Sequence, residues 1–96
     1  MVWRVWLTAS VRQRLKKLPK SIDEIFQLLL AELGFSGPVQ KDWPHYGKLR
    51  EDCYHCHLQR GKPTYVAVWR VLSKKAKVME VTYVGSHEKA HYGRLC

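Results

Sequence analysis

With 96 residues, 46% of them hydrophobic and 11% aromatic, the chain has the size and composition of one folded domain with a single core rather than of a disordered segment. Lys and Arg total 17 against 8 Asp and Glu, a formal charge of +9 that favours polyanion partners: nucleic acid first, an acidic protein or a membrane surface second. The opening MVWRVWLTASVRQRLKK is too short in its apolar run for a secretory signal, and no segment approaches the ~20 apolar residues of a membrane span, so the expectation is a cytoplasmic protein with reduced thiols.

In chain order, residues 2 to 7 (VWRVWL) are β-branched and aromatic and predict a first strand. Thr8 or Ser10 can cap the helix that follows, whose apolar stripe is Val11, Leu15 and Leu18 and which Pro19 stops. A second helix opens with SIDE, where Ser21 and Glu24 have capping-box spacing. Its broad face of Ile22, Ile25, Phe26, Leu29, Leu30 and Leu33 runs to Gly34, a suitable C-cap. The Gly- and Pro-dense stretch GFSGPVQKDWPHYGK reads as a loop. Three strands follow, near 52–58, 64–72 and 77–84, joined by turns at QRGKP and SKKAK; the tail GSHEKAHYGRLC has no strong regular pattern. The expected fold class is α+β in the order β-α-α-β-β-β, a helical hairpin on a mainly antiparallel sheet, with residues 1–96 as a single domain. Trp3, Trp6 and Trp69 lie in apolar strands and are expected in the core.

CYHCH, residues 53 to 57, admits three readings. As C-x-x-C-H it has the spacing of covalent haem attachment, but that chemistry belongs to exported proteins. As half of a zinc site, Cys53 and Cys56 would join His87 and His91; in an extended strand, however, residues i and i+3 point to opposite faces, and Tyr54 and His55 offer no turn. As a strand it requires nothing unusual. Tyr54, Cys56 and Leu58 face the core, and His55 and His57 stand together on the other face, roughly 7 Å apart. No haem, metal or other cofactor is expected.

The chain resembles the RelE-type toxins of bacterial toxin–antitoxin systems, and their YafQ-like relatives more closely. The likeness rests on the strand–helix–helix opening, then KDWPHYGKL before the second strand, YHCHL, YVAVWRV, and the closing YVGSHEKAHY. It implies the RelE-like microbial ribonuclease fold, ribosome-associated cleavage of mRNA, an antitoxin partner, and contact with rRNA. His55 and His57 occupy the positions of the family's two catalytic-strand lysines, and His87 that of the residue after the C-terminal glycine. Tyr92 corresponds to the terminal aromatic, with His91 as competitor for the role. The family arginine of the third strand falls on Val66, so phosphate stabilisation would pass to Arg60, Lys62 or Arg70; Arg70 ranks first because it shares a strand face with Val66.

Histidine suits such chemistry because it exchanges a proton near neutral pH. His57 or His55 is the expected base, His87 the acid, and Tyr92 a stacking or phosphate-orienting ring. Lys74, Lys75 and the basic first helix are read as RNA-backbone contacts, and His45 as a surface or loop-packing residue. Two other functions fit less well: a ParE-type gyrase poison, which would not need a histidine-rich centre, and a zinc-stabilised RNA-binding module.

Overall fold

Apolar stripes at helical spacing and an alternating strand pattern meet on one side of a single sheet. The computed structural model describes residues 2–59 and 61–96, so Arg60 lies outside the described residues. The elements are β1 (Arg4–Leu7), α1 (Ala9–Leu15), α2 (Lys20–Ser36), β2 (Gly47–Arg50), β3 (Cys53–Gln59), β4 (Tyr65–Ser73), β5 (Val78–Ser86), a 3-10 turn at His87–Lys89, and α3 (Tyr92–Leu95). The sheet order is β1-β5-β4-β3-β2, with β1 parallel to β5 and every other pair antiparallel. This is the expected α+β arrangement with one more strand, since β2, on the edge against β3, lies in residues read as a loop running into the second strand.

Several local expectations shift. Thr8, not Ser10, caps α1, its hydroxyl accepting from the Val11 N–H at 3.1 Å. Pro19 stands at the N-terminus of α2 and leaves Ser21 inside the first turn, so no side-chain cap forms and the SIDE box is not used. At the other end, Gly34 is buried within the helix, and its carbonyl accepts from the Val2 and Trp3 N–H groups. Termination passes to Gly37, whose φ of 94° suits a residue without a Cβ.

The main core joins Val11, Ile22, Phe26, Leu29 and Leu33 of the helices to Cys56, Leu58, Ala67, Trp69, Met79, Val81 and Val84 of the sheet. Trp69 is fully buried and donates its indole N–H to the Pro38 carbonyl at 3.0 Å, but Trp6 is 56% exposed, because β1 is an edge strand whose residues alternate outward. Burial pushes the Cys56 thiol up to about 12, which makes it a core hydrophobe rather than a nucleophile.

A smaller cluster covers the opposite face: Cys53, Val66, Val68 and Tyr83, under Ala90, Tyr92, Leu95 and Cys96 of the tail. The tail therefore has structure that its composition did not announce. Long-range contacts hold it down: Thr82 donates to the Leu95 carbonyl at 2.8 Å, Arg70 reaches the Cys96 carbonyl, and Cys53 is joined to Cys96 by a disulfide with a Cα–Cα distance of 5.6 Å. The disulfide overturns the expectation of three reduced thiols: alternation along β3 puts Cys53 on the tail's side of the sheet and Cys56 on the helices' side. The same split removes the thiol pair that a zinc site would need.

Closing a loop of this length, with the two cysteines 43 residues apart, stabilises a chain by about 4 kcal/mol in the loop-entropy account. The Cys96→Ser variant is expected to unfold at lower denaturant with its core secondary structure intact. Hydrogen exchange should show the loss of protection concentrated in residues 90–96.

Candidate active site

β3 alternates from Cys53 to His57, so the face that carries Cys53 also carries His55 and His57, whose ring centroids lie 6.3 Å apart. Their cross-strand partners on β4 are Val68 and Val66, which give the two imidazoles an apolar floor. Beyond the end of β5, the His87 N–H bonds to the Thr64 carbonyl at 2.8 Å and starts the 3-10 turn. His87 thereby stands 5.7 Å from the His57 ring. The tail closes the group: Tyr92 stacks on His55 at 5.5 Å and meets His87 edge-on at 6.1 Å. His55, His57, His87 and Tyr92 thus form a ring of four side chains drawn from three chain segments.

A fifth member was not expected there. His45 stacks on His57 with centroids 4.3 Å apart. The His57 N–H donates to the Pro44 carbonyl at 2.7 Å, and Tyr46 stacks against Tyr54 and Trp69, so the loop is pinned on both sides of His45. His45 itself has φ 51°, a left-handed conformation that residues with a Cβ seldom adopt. The available signal was its position in KDWPHYGK, a stretch already singled out for its pattern; what could not be read was how the loop folds back over β3.

The electrostatics differ from ring to ring. His55 Nδ1 and the Tyr92 hydroxyl are both shut off from solvent without a hydrogen-bond partner. Such atoms are uncommon in folded proteins and costly to keep. Burial, with smaller contributions from His45 and His87, holds His55 below the usual histidine range and so keeps it neutral. Burial and the nearby Tyr83 raise Tyr92, which stays a protonated donor. On the far side of His55, its Nε2 lies 3.3 Å from where a Cβ on Gly47 would stand, so a side chain at that position would press on the ring.

The cations are distributed less as expected. Arg70 does share the face of Val66, but four residues along β4 put it roughly 13 Å away. Its guanidinium is engaged by Glu80 Oε1, at 3.0 and 3.2 Å, and by the Cys96 carbonyl. It clamps the tail and does not meet the histidines. Lys74 pairs with Asp52 at 3.2 Å and, like exposed Lys75, belongs to the turn beyond the far end of β4. Lys62, by contrast, lines a cleft of about 230 Å³ with Thr64, Ser86 and His87. His91 is exposed beside Tyr92, and Arg60 lies outside the described residues. Among the described residues, no three His, Cys, Asp or Glu side chains are grouped to hold a metal ion.

No family model matches the chain, and no curated protein does. Solved structures do. A double arginine-to-alanine mutant of the E. coli toxin RelE in the free state aligns with a TM-score of 0.67 and 23% identity, over 92% of this chain and 86% of that one. The archaeal RelE–RelB complex from Pyrococcus horikoshii aligns at 0.72 and 20%, over 94% and 100%. The toxin–antitoxin complex RelBE2 from Mycobacterium tuberculosis aligns at 0.52 and 19%, over 91% and 100%. Order of elements, sheet topology and these superpositions agree: the chain has the RelE toxin fold.

Proposed function

We propose that the protein is the toxin of a type II toxin–antitoxin pair and acts as an endoribonuclease on mRNA at the ribosome. The observation that carries this reading is the ring of His55, His57, His87 and Tyr92 on a sheet face whose family counterpart is implied to be catalytic. The fold supports it, as does the charge of +9. An antitoxin partner is supported by the neighbours that are themselves toxin–antitoxin complexes.

In this mechanism the ribose 2′-oxygen attacks the adjacent phosphorus while the bond from phosphorus to the 5′-oxygen breaks. The products are a 2′,3′-cyclic phosphate and a free 5′-hydroxyl. His55, kept neutral by burial, takes the 2′-hydroxyl proton. His87, on the exposed side of the ring, gives a proton to the departing 5′-oxygen. His57 lies between them and positions the phosphate, with His45 stacked behind it. The Tyr92 hydroxyl, protonated and in need of an acceptor, donates to a phosphate oxygen.

His55→Ala, His57→Ala and His87→Ala should each reduce cleavage by roughly 10² to 10⁴-fold and abolish growth inhibition while remaining folded by circular dichroism. Full toxicity in all three would end the assignment. Tyr92→Phe keeps the stacked ring and should cost roughly 10²-fold.

The pH dependence follows from His55. Its folded value lies below the ordinary 6.5, so the acidic limb of kcat/KM should have its midpoint below that value, and His55→Ala should remove that limb from any residual activity. The sign for stability is the same. The unfolded chain protonates His55 more readily than the folded one, so this contribution is complete above about 6.5 and is lost as the pH falls through the folded value.

A further inference from the structure

Three clefts run in succession along the end of the molecule that carries His87. The first, about 370 Å³, lies between α1 and the 3-10 turn and is lined by Ser10, Gln13, Arg14, Lys17 and Lys89. The second, about 270 Å³, shares Arg14, Lys17 and Lys89 with the first and has Gly85 and Ser86 in its wall. The third, beside His87, shares Ser86 with the second and contains Lys62. The three therefore form one path that leads from α1 to the acid of the proposed reaction.

Arg14 stands where the path meets the sheet. Its guanidinium lies over the Tyr83 ring, 4.6 Å from the centroid, and its Nε is shut off from solvent without a partner. A Cβ on Gly85 would sit 2.8 Å from the Tyr83 hydroxyl and 3.5 Å from Arg14 Nη1, so only glycine leaves room for this arrangement. Gly85 pairs with Val66, and Val66 with His57, which places the Arg14 guanidinium at the end of the strand row that contains His57. Among the described residues, none of Arg14, Lys17 and Lys89 makes an ion pair, and the only acid lining the path is Glu88, in the third cleft.

We infer that this cationic path binds the backbone phosphates of the RNA strand that flank the scissile one, with Arg14, Lys17 and Lys89 as the phosphate contacts. It rests on the ribonuclease reading and adds to it the direction in which the substrate leaves the histidines. Aligned cations recognise a polyanion backbone, and phosphate contacts position a strand without reading its sequence. Arg14, Lys17 and Lys89 are therefore a positioning track, and the side chains of the first cleft able to hydrogen-bond a base edge are Ser10 and Gln13. It also supplies positive charge on a face where Val66 carries none and Arg70 is held by Glu80.

The test is anisotropy of a labelled, fully 2′-O-methylated RNA oligonucleotide, which lacks the attacking hydroxyl and is bound without being cut. Lys17→Ala and Lys89→Ala should each weaken binding roughly three- to ten-fold at 0.1 M salt and lower the slope of log K against log salt by about 0.7. Lys20→Ala removes the same charge from an exposed position off the path and should change neither. Arg14→Gln should behave as the groove variants do, and Arg14→Lys should recover part of the loss. Lys17 and Lys89 are exposed, so their variants report even where an Arg14 variant unfolds. Groove variants that bind like the wild type, or a wild type without salt-dependent binding, would overturn the path. A wild type that binds as described but leaves unmodified mRNA intact on translating ribosomes would overturn the nuclease reading alone.

Discussion

Alternation along β3 is the constraint from which the rest of the molecule follows. Successive side chains leave a strand on opposite faces, so Tyr54, Cys56 and Leu58 go to the helices while Cys53, His55 and His57 go to the other side. Slipping the register by one residue would bury the imidazoles against Phe26 and Leu29 and expose the hydrophobic set. The packing of α1 and α2 therefore holds the histidines in place without touching them. Cys53 shares their face, and its disulfide to Cys96 brings the C-terminal segment over the same surface. One strand thus sets the core, the candidate site and the anchor of the segment that completes the site.

The tail changes the physical character of that surface. Without it, His55 and His57 would stand on an open face of a strongly basic domain. With it, His55 is partly removed from water, Tyr92 is stacked on it, and the His55 Nδ1 and Tyr92 hydroxyl are held dry and unpaired. Desolvation favours the neutral imidazole, and the neighbouring histidines push the same way. Arg70 has a place in this design as well. By binding Glu80 and the last carbonyl of the chain, it contributes to the closure of the site rather than to its chemistry.

Much of the fold was legible because its signals are local. Period-two alternation gave β3 its two faces, the turns QRGKP and SKKAK bracketed β4 and separated it from β3 and β5, and the stripes of α1 and α2 marked the helical face. The edge strand β2 was missed because it is four residues long and its first two, Gly47 and Lys48, belong to the Pro- and Gly-rich stretch. The Ser21 box was misread because Pro19 is the N-cap of α2 and does not end α1, which stops at Leu15 with Lys16 as its C-cap. Of the residues named for the candidate site, the structure brings His55, His57, His87 and Tyr92 together. His45 was not assigned to it because its approach depends on a loop fold and a left-handed residue that composition does not encode. The role of Arg70 and the disulfide escaped for the same reason: both depend on where the last residue of the chain comes to rest.

In the proposed reaction, imidazoles from separate segments share one phosphate. Histidine ring resonances, followed by NMR while adenosine 3′-monophosphate is added to the intact protein, test it most directly. His55, His57 and His87 should shift together along one saturation curve, with His45 following through its stack on His57. Rings that respond at different concentrations, or that do not respond while the protein still binds the nucleotide, would contradict it.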